Sequence, residues 1–296
     1  MNSRRRRQLK RNITDKKKGI GEFSENSPIF TPPSNLPYII EECEIELPKG
    51  KDEIYLIGNG PSLRKADMSL LKDKNTISFN RAYISYEEWG FDPTYYMIID
   101  PFLFCSTLGD INNLIKTNKK IKKFIFKKNK EVSLDPKTMQ LINRPGIDCS
   151  VDDIIEDNRV ESIDMVGGDY FLKEGKISYF GSVGLCSLQI LYKMGYKKVY
   201  LVGCDMGYND KIEDTKWNQK GNFLESSSDE GDNNHYRSDY FGEGIKYGKP
   251  YNRIILEKWE KVYHKIRGLK NFEVISLTPN SQLNDFINFE ESDIYK

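Results

Sequence analysis

The chain has 296 residues, 38% hydrophobic, 12% aromatic and 30% charged, with 45 Lys and Arg against 44 Asp and Glu. That is apolar material for one large α/β domain or two small ones, and a formal net charge of +1 gives no global pull toward nucleic acid or membrane. No apolar run is long enough to span a bilayer and no signal-peptide core follows the basic start, so the expected setting is the cytoplasm, with a peripheral place at the inner face of the membrane as an option.

Residues 1–50 read as a tail and linker. Arg4, Arg5, Arg6 and Arg7, then Lys10, Arg11 and Lys16 to Lys18, form a basic run with few apolar residues. It suits a solvated, disordered tail or an electrostatic tether to anionic lipid, worth about 1 kcal/mol per basic residue near the surface. Thr31-Pro32-Pro33-Ser34 and Pro37 then read as an extended linker. The core, residues 51–296, opens on Ile54-Tyr55-Leu56-Ile57, a strand pattern, followed at once by Gly58-Asn59-Gly60-Pro61-Ser62. Gly58 and Gly60 permit close approach to the main chain. Ser62 is placed to cap a helix whose free N–H groups suit a phosphate. No Walker lysine follows, and an ordinary strand-to-loop turn accounts for the glycines equally well.

Residues 67–71 suggest a short helix or turn, 75–80 a strand ending at Asn80, 83–89 a short helix, and 95–99 a strand ending at Asp100. Three strands thus finish at Asn59, Asn80 and Asp100, and in an open parallel sheet such ends line one crevice. Residues 111–119 look helical and 122–127 form a strand flanked by lysines, while 128–175 suggest small strands and loops. Gly181-Ser182-Val183-Gly184 leads into an amphipathic helix over 185–194, with Ser182 at the N-cap position and Gly195 closing it. Residues 198–203 form the next buried strand, leading to Asp205 and then Tyr208. Residues 209–250 are polar with little periodicity and read as disordered or as a lid. A helix over 253–267, a strand over 273–277 and a turn Thr278-Pro279-Asn280-Ser281 complete the chain.

Of the two histidines, His264 on the long helix reads as structural or exposed. His235, in the insertion among polar and aromatic residues, is the group able to take a proton near neutral pH, as transfer to a hydroxyl requires. The five cysteines, Cys43, Cys105, Cys149, Cys186 and Cys204, have no metal-ligand spacing and read as reduced thiols, the last two in apolar surroundings of core type.

Taken together, Ile57-Gly58-Asn59-Gly60-Pro61-Ser62-Leu63, Asn80, Asp100-Pro101, Gly181-Ser182-Val183-Gly184 and Leu201-Val202-Gly203-Cys204-Asp205 resemble the MptE-like group. Trp89-Gly90-Phe91-Asp92-Pro93-Thr94-Tyr95-Tyr96 and Asp239-Tyr240-Phe241-Gly242-Glu243-Gly244 resemble its bacterial surface-polysaccharide members. The same skeleton is similar to the sialyltransferases of glycosyltransferase family 42, through Asn233-Asn234-His235-Tyr236 and Pro279-Asn280-Ser281-Gln282-Leu283 as well. The resemblance implies an α/β fold with a Rossmann-like, mostly parallel sheet flanked by helices, a GT-A-like variant carrying a lid over about 209–250. It implies a metal-independent transferase that moves a sialic-acid-like sugar from a CMP-activated donor to a glycan acceptor in surface polysaccharide or glycoconjugate synthesis. His235 would be the general base and Tyr208 would stabilise the departing phosphate. Gly58, Asn59, Gly60, Ser62, Asn80, Asp100, Ser182 and Asp205 would form the nucleotide site. Two departures stand out: Gly181-Ser182 inverts the order found in those sialyltransferases, which leaves open which serine is used, and Asp100 stands where they have Asn, which keeps an alternative open. The alternative is an MptE-like pyrophosphokinase acting on ATP and a hydroxymethyl-pterin, with Asp100 and Asp205 holding Mg²⁺. A non-catalytic nucleotide-binding protein is a third reading.

Overall fold

A computed structural model describes residues 52–128, 132–134, 141–143, 147–167, 171, 176–207, 217–220, 223–227, 231–248 and 252–296. The basic tail, the linker and Tyr208 lie outside the described residues. In chain order the strands are β1 Glu53–Ile57, β2 Thr76–Phe79, β3 Tyr95–Ile98, β4 Lys123–Lys127, β5 Val132–Leu134, β6 Leu141–Asn143, β7 Val160–Ile163, β8 Val166–Gly167, β9 Ser178–Tyr179, β10 Lys198–Val202, β11 Trp217–Lys220, β12 Phe223–Ser226, β13 Lys246–Gly248, β14 Glu273–Ser276 and β15 Asn288–Phe289. The α-helices are α1 Tyr86–Trp89, α2 Pro101–Ser106, α3 Leu108–Thr117, α4 Val183–Lys193 and α5 Asn252–Ile266.

Eight strands form one sheet among the described residues, in the order β15-β14-β10-β1-β2-β3-β4-β7. Every neighbouring pair in it is parallel. A parallel sheet must be covered on both faces, and its strands then read as continuous apolar runs, as β1, β3 and β4 do. Ile54, Leu56, Ile77, Phe79 and Met97 point to the side covered by Leu185 and Leu188 of α4 and Trp259 and Val262 of α5. Ile57, Tyr96, Ile98, Phe124 and Phe126 point to the other, where Trp89 of α1, Leu103 and Phe104 of α2 and Ile111 and Ile115 of α3 cover them. The order of strands reverses between β1 and β10, which is where a doubly wound sheet opens its crevice.

Several local features were not expected from the sequence. The residues after Asp100 are helical: Pro101 sits in the first turn and the Asp100 carboxylate accepts from Phe102 N and Leu103 N. Proline is at home there because its missing N–H would have had no helical partner. Residues 80–85 form a 3₁₀ segment before α1, and Ser62 begins no α-helix but lies in a 3₁₀ turn over Pro61–Lys65. The polar insertion contains an antiparallel sheet in the order β11-β12-β13. Its Leu224, Tyr240, Phe241 and Tyr247 belong to the apolar cluster on the α1–α3 side, because those four side chains supply the cover that short α1 and α2 leave incomplete. Cys105 and Cys149 are joined as a disulfide, against the expectation of scattered reduced thiols. A pairing across 44 residues is a tertiary fact that spacing alone does not carry. Cys186 and Cys204 are free and buried. No helix among the described residues is long and apolar enough to cross a membrane.

Candidate active site

The glycine turn after β1 and the turn after β10 are built against each other. Gly58 N donates to Val202 O at 2.7 Å and Gly60 N to Gly203 O at 2.9 Å. A Cβ on Gly58 would lie 2.1 Å from Gly203 O, and one on Gly60 would lie 1.8 Å from Asp205 Oδ2. The glycines therefore permit the close approach of two loops, which is the ordinary-turn use that the sequence offered beside a ligand turn. The β10 turn is braced from behind: Thr278 Oγ1 accepts from Cys204 N at 3.1 Å, Ser281 Oγ donates to Cys204 O at 2.6 Å, and Tyr295 OH accepts from Gly203 N at 2.9 Å.

Asp205 fills the place read from the sequence as an anion site. Its carboxylate accepts from Ser62 N at 3.1 Å and Ser62 Oγ at 2.7 Å. Burial pushes this carboxyl above the usual carboxylate range, while the Ser62 donors and the nearby His235 pull it back down. In this geometry Ser62 serves Asp205, and the charge its donors satisfy is the chain's own. Asn59 donates through Nδ2 to Phe79 O at 3.0 Å, joining the ends of β1 and β2. Asn80 takes a left-handed backbone at φ 56°, a conformation asparagine tolerates better than most residues, and its carbonyl accepts from Tyr96 OH at 2.7 Å.

The insertion reaches each of these strand ends. Tyr236 N donates to Asn59 O at 2.7 Å beside β1. Arg81, just past β2, donates through Nη1 to the carbonyls of Asp239 and Tyr240. Asp100, just past β3, accepts from Gly248 N at 2.7 Å. Arg64 grips the same loop from the 3₁₀ turn, donating to His235 O at 2.7 Å and Tyr236 O at 2.9 Å. His235 is thereby held at the carboxyl edge of the sheet, 6% exposed. Its Nδ1 lies 2.8 Å from Asp232 Oδ2. Its ring stacks on Tyr240 with centroids 3.9 Å apart and planes 9° apart, and Phe241 stands edge-on at 5.0 Å.

Gly58, Asn59, Gly60, Ser62, Asp205 and His235 are brought together, with Asn80 and Asp100 along the same edge. Ser182 takes the N-cap position of α4, but its side chain makes no cap bond. Its Oγ accepts from Trp259 Nε1 at 3.2 Å, and a Cβ on Gly184 would lie 2.7 Å from Trp259 Cζ2. The Gly181–Gly184 motif thus seats a tryptophan, a use that its resemblance to a nucleotide-binding turn conceals. His264 is exposed, 3.9 Å from Glu260. Asp232, Arg64 and Arg81 escaped sequence reasoning. The Asp-x-x-His spacing was the available signal for Asp232; the two arginines carried none, because their partners are backbone carbonyls about 160–170 residues away.

Asp100 and Asp205 fit a metal poorly. Asp100 spends one oxygen on Phe102 N and Leu103 N and the other on Gly248 N, and burial, offset by those N–H groups, pushes its carboxyl up. Hard cations want ionised, unspent carboxylate oxygens, and here N–H and O–H donors surround both groups. Among the described residues no group of three or more His, Cys, Asp or Glu could hold a metal.

The profile of a family described as 6-hydroxymethylpterin diphosphokinase MptE-like matches residues 33–211, more than half of the chain. The chain belongs to the MptE-like family. The matched span holds the Gly58–Ser62 turn, Asn80, Asp100 and Asp205 and stops short of His235, so this MptE-like protein carries its buried histidine outside the matched core. No curated protein matches the chain. Among solved structures, it is similar to the monofunctional α-2,3-sialyltransferase Cst-I of Campylobacter jejuni at 17% identity, covering 84% of each chain with a TM-score of 0.47. It is also similar to the sialyltransferase CstII of Campylobacter jejuni in complex with the substrate analogue CMP-3FNeuAc, at 16% identity, 83% of this chain, 88% of that one and a TM-score of 0.43.

Proposed function

We propose that the protein is a transferase that moves a group from a nucleotide-activated donor to an acceptor hydroxyl, with His235 as the proton acceptor. The observation that carries this reading is the placement of His235 at the carboxyl edge of the parallel sheet, beside the β1/β10 switch point, held by hydrogen bond and by stacking. A basic group fixed at the place where such folds bind nucleotides is what removal of a hydroxyl proton demands, and it contributes about 10²–10⁴-fold. Asn80 Oδ1 and Arg81 Nε are buried with no hydrogen-bond partner among the described residues. Such groups call for an explanation, and a polar donor molecule at this edge supplies one.

For the donor we favour a CMP-activated, sialic-acid-like sugar and for the acceptor a glycan, in surface-polysaccharide or glycoconjugate assembly. The acceptor oxygen bonds to the anomeric carbon, the bond from that carbon to the phosphate oxygen breaks, and its electron pair leaves with CMP. The acceptor proton goes to His235. The motif resemblance supports this donor, and so does the poor fit of Asp100 and Asp205 to Mg²⁺. The description of the family favours a second reading, diphosphate transfer from ATP to the hydroxymethyl group of a pterin, which uses the same proton acceptor on a different donor.

The test is a turnover and binding screen of CMP-sugars and of ATP with hydroxymethyl-pterin, each with Mg²⁺ and with EDTA. Release of CMP that persists in EDTA and falls at least about 10²-fold in His235→Ala is the expected result. Tight binding of ATP confined to Mg²⁺, with no CMP compound bound, transfers the assignment to the second reading.

A further inference from the structure

Resting on the reading of His235 as proton acceptor, we propose that Asp232 is the positioning residue of the transfer: it holds the His235 proton on Nδ1, so that Nε2 presents the lone pair that takes the acceptor proton. The buried pair is part of a rigid turn. Asp232 and His235 are 4% and 6% exposed, and the carboxylate spends both oxygens, Oδ1 on Asn234 N at 2.8 Å and Oδ2 on His235 Nδ1 at 2.8 Å. A carboxylate only accepts, so Nδ1 is the protonated nitrogen, and in a neutral imidazole the accepting lone pair is then on Nε2. Tyr240 against the ring face and Phe241 at its edge restrict rotation about the ring axis. Asp232 N donates to Ser238 O at 2.9 Å, which closes the turn around the pair. Asp205 and Tyr247 act electrostatically on its two members, Asp205 on His235 and Tyr247 on Asp232. Of these groups, Asp232 is the one hydrogen-bonded to the ring at Nδ1.

The chain has two histidines, so ¹⁵N NMR of histidine-labelled, full-length protein at mildly alkaline pH reads the tautomer directly, with His264→Gln assigning the second set of signals. His235 protonated on Nδ1 is expected. In Asp232→Asn the amide can donate to Nδ1 as well as accept from it, so the proton moves toward Nε2. The value of kcat then falls about 10²-fold while the donor KM stays within about twofold. Asp232→Glu, which keeps the carboxylate, recovers part of the loss. A wild-type His235 protonated on Nε2 overturns the proposal and needs no variant to fold. An inactive His235→Ala beside an unimpaired Asp232→Asn overturns it alone. A fully active His235→Ala overturns the base assignment and this inference with it.

Discussion

At the scale of single residues, the meeting of the β1 and β10 turns is the tightest constraint on substitution. Gly58→Ala places a Cβ 2.1 Å from the Gly203 carbonyl, and neither turn can withdraw without losing strand-end hydrogen bonds. It should cost about 3 kcal/mol in urea unfolding. Gly109, near the start of α3, has nothing within 4 Å of its Cβ position. Gly109→Ala should stabilise by about 0.5 kcal/mol, because it removes unfolded-state freedom without strain. A second pair of residues sets a pH dependence. Arg159 donates to both oxygens of Asp157, at 2.9 and 2.8 Å, and these bonds hold the Asp157 carboxyl down to about 2. A carboxyl depressed by folding contributes stability that is present above the ordinary value near ~3.9 and lost as pH falls through the folded one. Asp157→Asn should therefore cost about 1 kcal/mol at pH ~6, discounted for its partial exposure. The difference should shrink below pH ~4 and vanish only below pH ~2, followed by denaturant titration across that range. The Gly58 effect is not visible in the letters alone: Gly58 reads equally as a ligand turn or an ordinary turn until Gly203 is seen beside it.

At the scale of elements, Asp100 ties a helix to a strand. It caps α2 through Phe102 N and Leu103 N and holds β13 through Gly248 N. At the other end of α2, Ser106 Oγ accepts from Lys246 N at 3.2 Å. Asp100→Ala removes a cap worth about 1 kcal/mol and leaves the Gly248 N–H without its partner, so a loss of about 2–3 kcal/mol is expected. Hydrogen exchange should rise first at residues 246–248. If exchange rises only in α2, the clamp on β13 is refuted. Asp100-Pro101 carries the local signal of a helix start, and the apolar run before it carries that of a strand end; both are present. Ser182 is the converse case, a correct cap position whose hydroxyl is taken by Trp259. A cap position is local and legible, whereas the choice of partner depends on which helix packs opposite.

At the scale of the whole described fold, the insertion is part of the core. Tyr236, the carbonyls of Asp239 and Tyr240, and Gly248 contact the ends of β1, β2 and β3. Phe241 stacks on Tyr247 with centroids 4.1 Å apart, and Tyr240, Phe241, Tyr247 and Leu224 share the apolar cluster of the sheet face. Replacing residues 223–248 with a short Gly/Ser linker should therefore uncover that face and yield a protein that binds ANS and unfolds non-cooperatively. A cooperative, ANS-silent product would show the insertion to be an independent cover.

The place along the chain of β1, β2, β3, β4, β10 and β14 was legible because parallel strands buried on both faces must be apolar throughout, and β1, β3, β4 and β10 carry that mark without reference to anything distant; their order in the sheet was not. The long helices α4 and α5 were legible for the corresponding reason at a period of 3.6 residues. His235 stood out as an ionisable group near neutral pH in a polar stretch. The tertiary structure decided what these marks are for. It placed Asp205 where an external anion was expected, turned the Gly181–Gly184 motif to seating Trp259, joined Cys105 to Cys149, and gave His235 its Asp232 partner and its seat on the glycine turn. Local pattern reports which face of an element is apolar. Hydrogen-bond partners are chosen across up to about 170 residues, and that choice is made only when the sheet brings its strand ends to one edge.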